Sequence, residues 1–135
     1  MSAGPVDVAR AFVVAINSRS PERLAGLMTE DHVFVDSDGT EHSGRQVMTA
    51  QWREYFDLVP DYRITVSEVA AAGMTVLLAG RAEGTFLQDG LLRAGNHWRV
   101  PAAWKAVIKG GRVAVWQLYV NPEPMTSVLQ RIRRM

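Results

Sequence analysis

The sequence predicts an α+β fold, with helices gathered at the front of the chain and antiparallel strands behind them. Three observations carry this. Apolar residues recur at helical spacing through residues 7–17 and 47–56. From Tyr62 onward, apolar and polar residues alternate over segments of strand length, broken by Gly and Asn turns. No stretch repeats a strand–helix–strand alternation, so a parallel α/β sheet is not expected. A length of 135 residues with 47% hydrophobic content suits a single domain over 1–135.

The elements follow in order. Residues 7–17 place Val8, Ala9, Phe12, Val13 and Ile16 on one helical face. Ser20 followed by Pro21 and Glu22 starts a second, short helix, with a serine cap, proline in the first turn and an acid beside it. A strand is predicted over His32–Asp36, turned by Ser37, Asp38 and Gly39. A third helix follows Gly44, presents Val47, Met48, Trp52, Tyr55 and Phe56, and stops at Pro60. Strands are then expected over 62–69, 74–87, 97–108 and 113–120, with bending at Gly80 and Gly84. A closing helix is expected over 125–134.

Composition removes several function classes. Fifteen basic residues against 14 acidic ones leave a net charge of +1, too small an excess for a nucleic-acid binder. With no cysteine, thiolate catalysis and sulfur-bound zinc are excluded. No His-x-x-x-His spacing occurs, and no metal is expected. No phosphate-cradling glycine loop or nucleotide fingerprint is present, so no cofactor is expected. No apolar run approaches a bilayer span and no signal peptide is evident, so no membrane partner and a cytoplasmic location are expected.

The segments Phe12 to Asn17, Phe34 to Asp36 ahead of Gly44, Gly84-Thr85, Gly111 to Val113 and Trp116 to Asn121 resemble landmarks of the nuclear transport factor 2-like superfamily. Its members include SnoaL-like polyketide cyclases, ketosteroid isomerases and limonene-type epoxide hydrolases. The resemblance covers nearly the whole chain. It implies a cone of curved antiparallel sheet, about four to six strands, packed with three N-terminal helices around a hydrophobic pocket. It also implies a homodimer through the outer sheet face, with Arg99, Lys105, Trp116 and Leu118 as interface candidates.

The resemblance carries the candidate site residues. Asp36, in the run Val35 to Gly39, is similar to the general-base aspartate segment of ketosteroid isomerases. A carboxylate in an apolar pocket has its charged form disfavoured, which suits proton shuttling near neutral pH. A turn-starting aspartate is the plainer alternative. The isomerase's oxyanion-hole tyrosine is replaced by Phe12, and no acid occurs between Ala102 and Ala106 to supply its second donor. Trp104 could offer an indole N–H, or serve as core. In cyclases and epoxide hydrolases an acid stands at the position of Asn121. An amide cannot take a proton there but can orient a carbonyl or a water. Arg81 and Glu83 resemble an arginine–acid pair of the epoxide hydrolases and share a strand face. An exposed ion pair is the alternative. His42 and His97 are candidates to pair with Asp36, and His32 alternates onto the same side. Phe12, Trp52, Tyr55, Trp98, Trp104 and Tyr119 would line the cavity against a flat apolar ligand. The expected activity is acid–base chemistry, as in an isomerase or a polyketide cyclase, on an apolar carbonyl compound. The alternative is a non-catalytic module that binds such a molecule.

Overall fold

The computed structural model describes residues 4–134. Helix α1 spans Pro5–Asn17 and α2 spans Pro21–Gly26, the latter started by Ser20, whose side chain accepts from the Arg23 N–H at 3.2 Å. Strand β1 is Met28–Val35 and β2 is Glu41–Ser43. Helix α3, Arg45–Leu58, precedes β3 (Arg63–Ala72), β4 (Thr75–Thr85), β5 (His97–Lys109) and β6 (Arg112–Val120). Helix α4, Glu123–Arg133, ends the chain. The six strands form one sheet in the order β2-β1-β6-β5-β4-β3.

Three features depart from the sequence expectation. β1 begins at Met28 rather than His32, and β2, too short to show a period, lies within the expected loop. β1 also pairs with β6 in parallel, in an otherwise antiparallel sheet. The reason is topological. β3 to β6 form a meander that hydrogen bonds can build locally, and its last strand then closes against the first strand of the chain.

The sheet curves because its pairing is interrupted. Register shifts between Val66 and Glu68 in β3, opposite Ala79 and Gly80 of β4. The extra residue, Ser67, donates its hydroxyl to the Ala79 carbonyl at 3.1 Å. A second shift, where Ala114 of β6 is the extra residue opposite Val107 and Ile108, bends β6 against β5. Gly84, the other expected bend, is instead a close approach, where a Cβ would fall 2.4 Å from Val59 Cγ1.

On the inner face, Trp98, Val100, Trp104 and Ile108 of β5 and Val76 and Leu78 of β4 are buried. Phe12 and Ile16 of α1 and Met48, Trp52 and Phe56 of α3 cover them. Val47, expected on the buried side of α3, is 48% exposed, so the packed stripe runs through Met48 instead. Asn17 ties α1 to the edge strand. Its side-chain amide donates to the Ile64 carbonyl and accepts from the Ile64 N–H, both at 2.9 Å, satisfying backbone groups that an edge leaves open.

Of the residues expected at a dimer face, Arg99 and Lys105 do lie on the outer side of β5. Trp116 and Leu118 do not: Trp116 is 1% exposed and both sit on the inner face. No helix among the described residues is long and apolar enough to cross a membrane.

Candidate functional site

Between the concave sheet face, α3 and the start of α4 lies a cavity of about 330 Å³. That is the size of a small ligand site. Its deep side is aromatic: Trp104 and Trp116 stack with centroids 6.3 Å apart and planes 24° apart. Helix α3 supplies Met48, Gln51, Trp52 and Tyr55, which recur every three or four residues and so share one face. Tyr62 stands beside them, from the turn that leads into β3. Phe34, Leu118, Val120, Pro122 and Met125 complete the apolar wall, with Asp36, Ser37, His42 and the Gln51 amide as its more polar part.

Asp36 is placed by the turn that follows β1. Its N–H donates to the Thr40 carbonyl at 2.8 Å, and its own carbonyl accepts from the Gly39 N–H at 2.9 Å. Gly39 sits at φ 87°, a conformation that favours glycine. The carboxylate Oδ1 accepts from the Ser37 N–H at 2.7 Å. His42, on β2 and paired with Phe34, lies on the same cavity wall, its ring 6.0 Å from that of Phe34. No hydrogen bond or ion pair joins His42 to Asp36 among the described residues. Burial pushes the Tyr55 hydroxyl well above the ordinary phenol value, and the neighbouring Tyr62 and Asp36 push it further. Burial likewise raises Tyr62.

Several expected site residues lie elsewhere. Asn121 is exposed and accepts from the Glu123 N–H at 3.1 Å, at the start of α4. Tyr119 is 46% exposed. Strand alternation is the reason: Trp116, Leu118 and Val120 face the cavity, so residues 119 and 121 face outward. Arg81 and Glu83 are also on the outer face, 3.5 Å apart, with Arg99 3.7 Å from the same carboxylate. Partly exposed pairs of this kind contribute little stability. His97 is exposed and does not line the cavity that Asp36 lines. Thr85 donates its hydroxyl to Asp61 at 2.7 Å, so the 2.9 Å contact from His97 Nδ1 to that hydroxyl is a donation from the ring. Phe12 and Trp98 are buried one layer behind the wall, Phe12 4.7 Å from Trp116 and Trp98 6.0 Å from Tyr62. Asp36, His42, Trp52, Tyr55 and Trp104 are the expected residues that do meet at the cavity. Tyr62 and Gln51 were not expected there. Gln51 could have been found from its spacing to Met48 and Tyr55, whereas the alternation that begins at Tyr62 does not tell which side of the strand meets a cavity.

His32 is core rather than site. It is fully buried, and its Nδ1–H donates to the Val113 carbonyl at 2.7 Å while Nε2 has no partner. Burial holds its pKa below the ordinary 6.5, against smaller opposing effects of the Val113 bond and of Asp31. The unfolded chain therefore takes up this proton at a higher pH than the folded one. Stability is expected to be full above about pH 6.5 and to fall as pH drops below it, by up to about 1.4 kcal/mol per pH unit until the folded ring itself titrates. Urea unfolding between pH 7.5 and 5 measures this. The slope just below pH 6.5 should flatten in His32→Asn, and an unchanged slope there would assign it to other groups.

Taken together, the curved sheet, the helices over its concave side and the largely apolar cavity between them define an α+β protein built around a pocket. A family model described as a SnoaL-like domain matches residues 9–116, and the chain belongs to that family. No curated protein matches the sequence. Among solved structures, IdmH of Streptomyces antibioticus, a candidate polyketide cyclase, has a TM-score of 0.77 at 21% identity, covering 95% of this chain and 99% of its own. A limonene epoxide hydrolase-like (LEH-like) epoxide hydrolase of M. tuberculosis has a TM-score of 0.78 at 14% identity, over 98% and 94% of the two chains. A Catenulispora acidiphila protein with a ketosteroid isomerase-like fold, in complex with trimethylamine, gives 0.77 at 19%, over 93% and 92%. At these identities the likeness is one of fold.

Proposed function

We propose that this protein is an enzyme that moves a proton on a small, apolar, carbonyl-bearing molecule, with Asp36 as the base. The observation that carries this reading is a carboxylate on the wall of a cavity built mainly from aromatic and aliphatic side chains. In such surroundings the apolar body of a ligand sets which C–H reaches the carboxylate. His42 stands on the same wall, where its ring nitrogens can hydrogen-bond to a ligand or a water. A flat polyketide, terpenoid or steroid ketone suits the stacked Trp104 and Trp116 floor. That the fold neighbours include a candidate polyketide cyclase and an epoxide hydrolase supports this reading.

A second reading has its own observation. Asp36 Oδ1 is held by the Ser37 N–H, as in a purely structural turn, which favours a module that binds the same ligands without turnover. One experiment separates the two. A mixed set of such ketones is incubated with the protein in deuterated water, and NMR follows exchange of the protons next to the carbonyl. Wild type is expected to accelerate exchange, and Asp36→Asn to lose about 100-fold or more of that acceleration with the fold intact. Binding without exchange would select the carrier reading. Exchange that survives Asp36→Asn would remove this residue from the mechanism.

A further inference from the structure

Asp36 accounts for the proton but not for the charge that its departure leaves behind. Removing a proton next to a carbonyl pushes an electron pair toward the carbonyl oxygen, and in an apolar cavity that oxygen needs donors. The first helix offers none, since Phe12 is buried behind Trp116. Strand β5 offers no acid on this wall. Tyr55 and Tyr62, however, both line the cavity, their rings 5.0 Å apart and at 85° to each other. Neither hydroxyl makes a hydrogen bond to any described residue, although Tyr62 is only 6% exposed.

We propose that the Tyr55 and Tyr62 hydroxyls together form the oxygen-binding corner of the cavity, donating to the carbonyl oxygen of a ligand whose neighbouring C–H faces Asp36. The inference rests on the reading of Asp36 as a base. It names the substrate class more closely, as carbonyl compounds that can enolise on a flat apolar frame.

Several features support the assignment. The two rings come from different elements, so their separation is fixed by packing and not by helix periodicity. Tyr55 is carried by α3. Tyr62 is pinned through its backbone: its N–H donates to the Val59 carbonyl at 3.1 Å and its carbonyl accepts from Arg19 Nη1 at 3.1 Å. Its ring is braced by Trp98 at 6.0 Å and Trp52 at 6.5 Å. Donors held in this way need no reorganisation as charge develops. Burial raises both hydroxyls above the ordinary phenol value, so both remain protonated and able to donate. Asp36, Tyr55 and Tyr62 all line the one cavity, which puts the base and the donor pair around the same space.

The step balances without a co-reactant. The C–H bond next to the carbonyl breaks and its proton goes to the Asp36 carboxylate. The bonding pair forms a carbon–carbon double bond, and the carbonyl π pair moves to oxygen, where the two phenols hold it. Return of the proton from Asp36, to the same carbon or to a conjugated one, restores the carboxylate and gives exchange or isomerisation.

The test uses pentafluorophenol, ionised at neutral pH and flat like an enolate, and pentafluorobenzene, the same ring without oxygen. Binding is followed by fluorine NMR to the full chain carrying Asp36→Asn, so that no carboxylate repels the probe, with and without Tyr55→Phe or Tyr62→Phe. Each tyrosine change is expected to weaken the phenolate about tenfold or more, as loss of a hydrogen bond to a charged oxygen does. The affinity for pentafluorobenzene should stay within about twofold, because ring burial is unchanged. Equal phenolate affinity with and without the hydroxyls, while pentafluorobenzene still binds, would overturn the donor pair and leave the Asp36 reading to its exchange assay. Failure of both probes to enter would overturn the cavity reading and the donor pair together.

Discussion

Gly80→Ala is expected to destabilise the fold by more than about 3 kcal/mol, at or beyond the upper end of what overpacking ordinarily costs. A Cβ at this position would stand 1.8 Å from the Thr65 carbonyl oxygen, 2.8 Å from its carbon and 3.0 Å from Val66 Cα. All three are backbone atoms of the paired strand β3, so no side chain can rotate away. Relief would require β3 to separate from β4 next to the Ser67 bulge, breaking the pairing that bends the sheet. Gly26→Ala is the control, because a Cβ there meets nothing within 4 Å. Urea unfolding of the two variants should give a large fall in midpoint for Gly80→Ala and almost none for Gly26→Ala. Matching midpoints would mean that the close approach of β3 to β4 is not a requirement of the fold.

Trp116→Ala should rank next, with a loss of about 3–5 kcal/mol for a buried aromatic truncated to alanine. Trp116 is 1% exposed, packs 4.7 Å from Phe12 and stacks on Trp104. Its ring separates the cavity from the layer beneath, so its removal takes away floor and core contact at once. Trp116→Phe keeps an aromatic floor and should recover more than half of the loss. Thermal and urea unfolding measure both. A loss under about 1 kcal/mol for the alanine variant would show that the neighbours collapse into the space, and that the cavity floor is not held by this ring.

Much of the architecture could be read from local chemistry. Ser20 and Pro21 start a helix for reasons that act within one turn. The alternation from Trp98 to Ile108 declares a strand with one buried side, because side chains there repeat every two residues. The stripe through Met48, Trp52 and Tyr55 declares the packed face of α3. The parallel join of β1 to β6 was not readable, since it depends on where a distant strand arrives. β2, three residues long, was too short for any pattern to emerge.

The site divides along the same line. Asp36, His42, Trp52, Tyr55 and Trp104 were all found from the sequence, and all reach the cavity. Asn121 and Tyr119 were assigned inward but sit on the convex side, and Arg81 and Glu83, candidates for the cavity, form instead the exposed ion pair that was their other reading. A period of two tells which residues share a face, but it is silent about which face is concave. That choice is made when α1 and α3 dock on one side of the sheet and bury Trp104, Trp116 and Val76 there.

From its order of residues alone, then, this chain specifies its helices, its strands, its lack of thiol chemistry and an acid set among aromatic neighbours. Local propensity and short-range periodicity are enough for those. The meeting of Asp36 with Tyr55 and Tyr62, and the exile of His97 and Asn121, belong to the folded molecule. They follow from strand register and helix docking, which join positions far apart in the chain and leave no trace in the spacing of nearby residues.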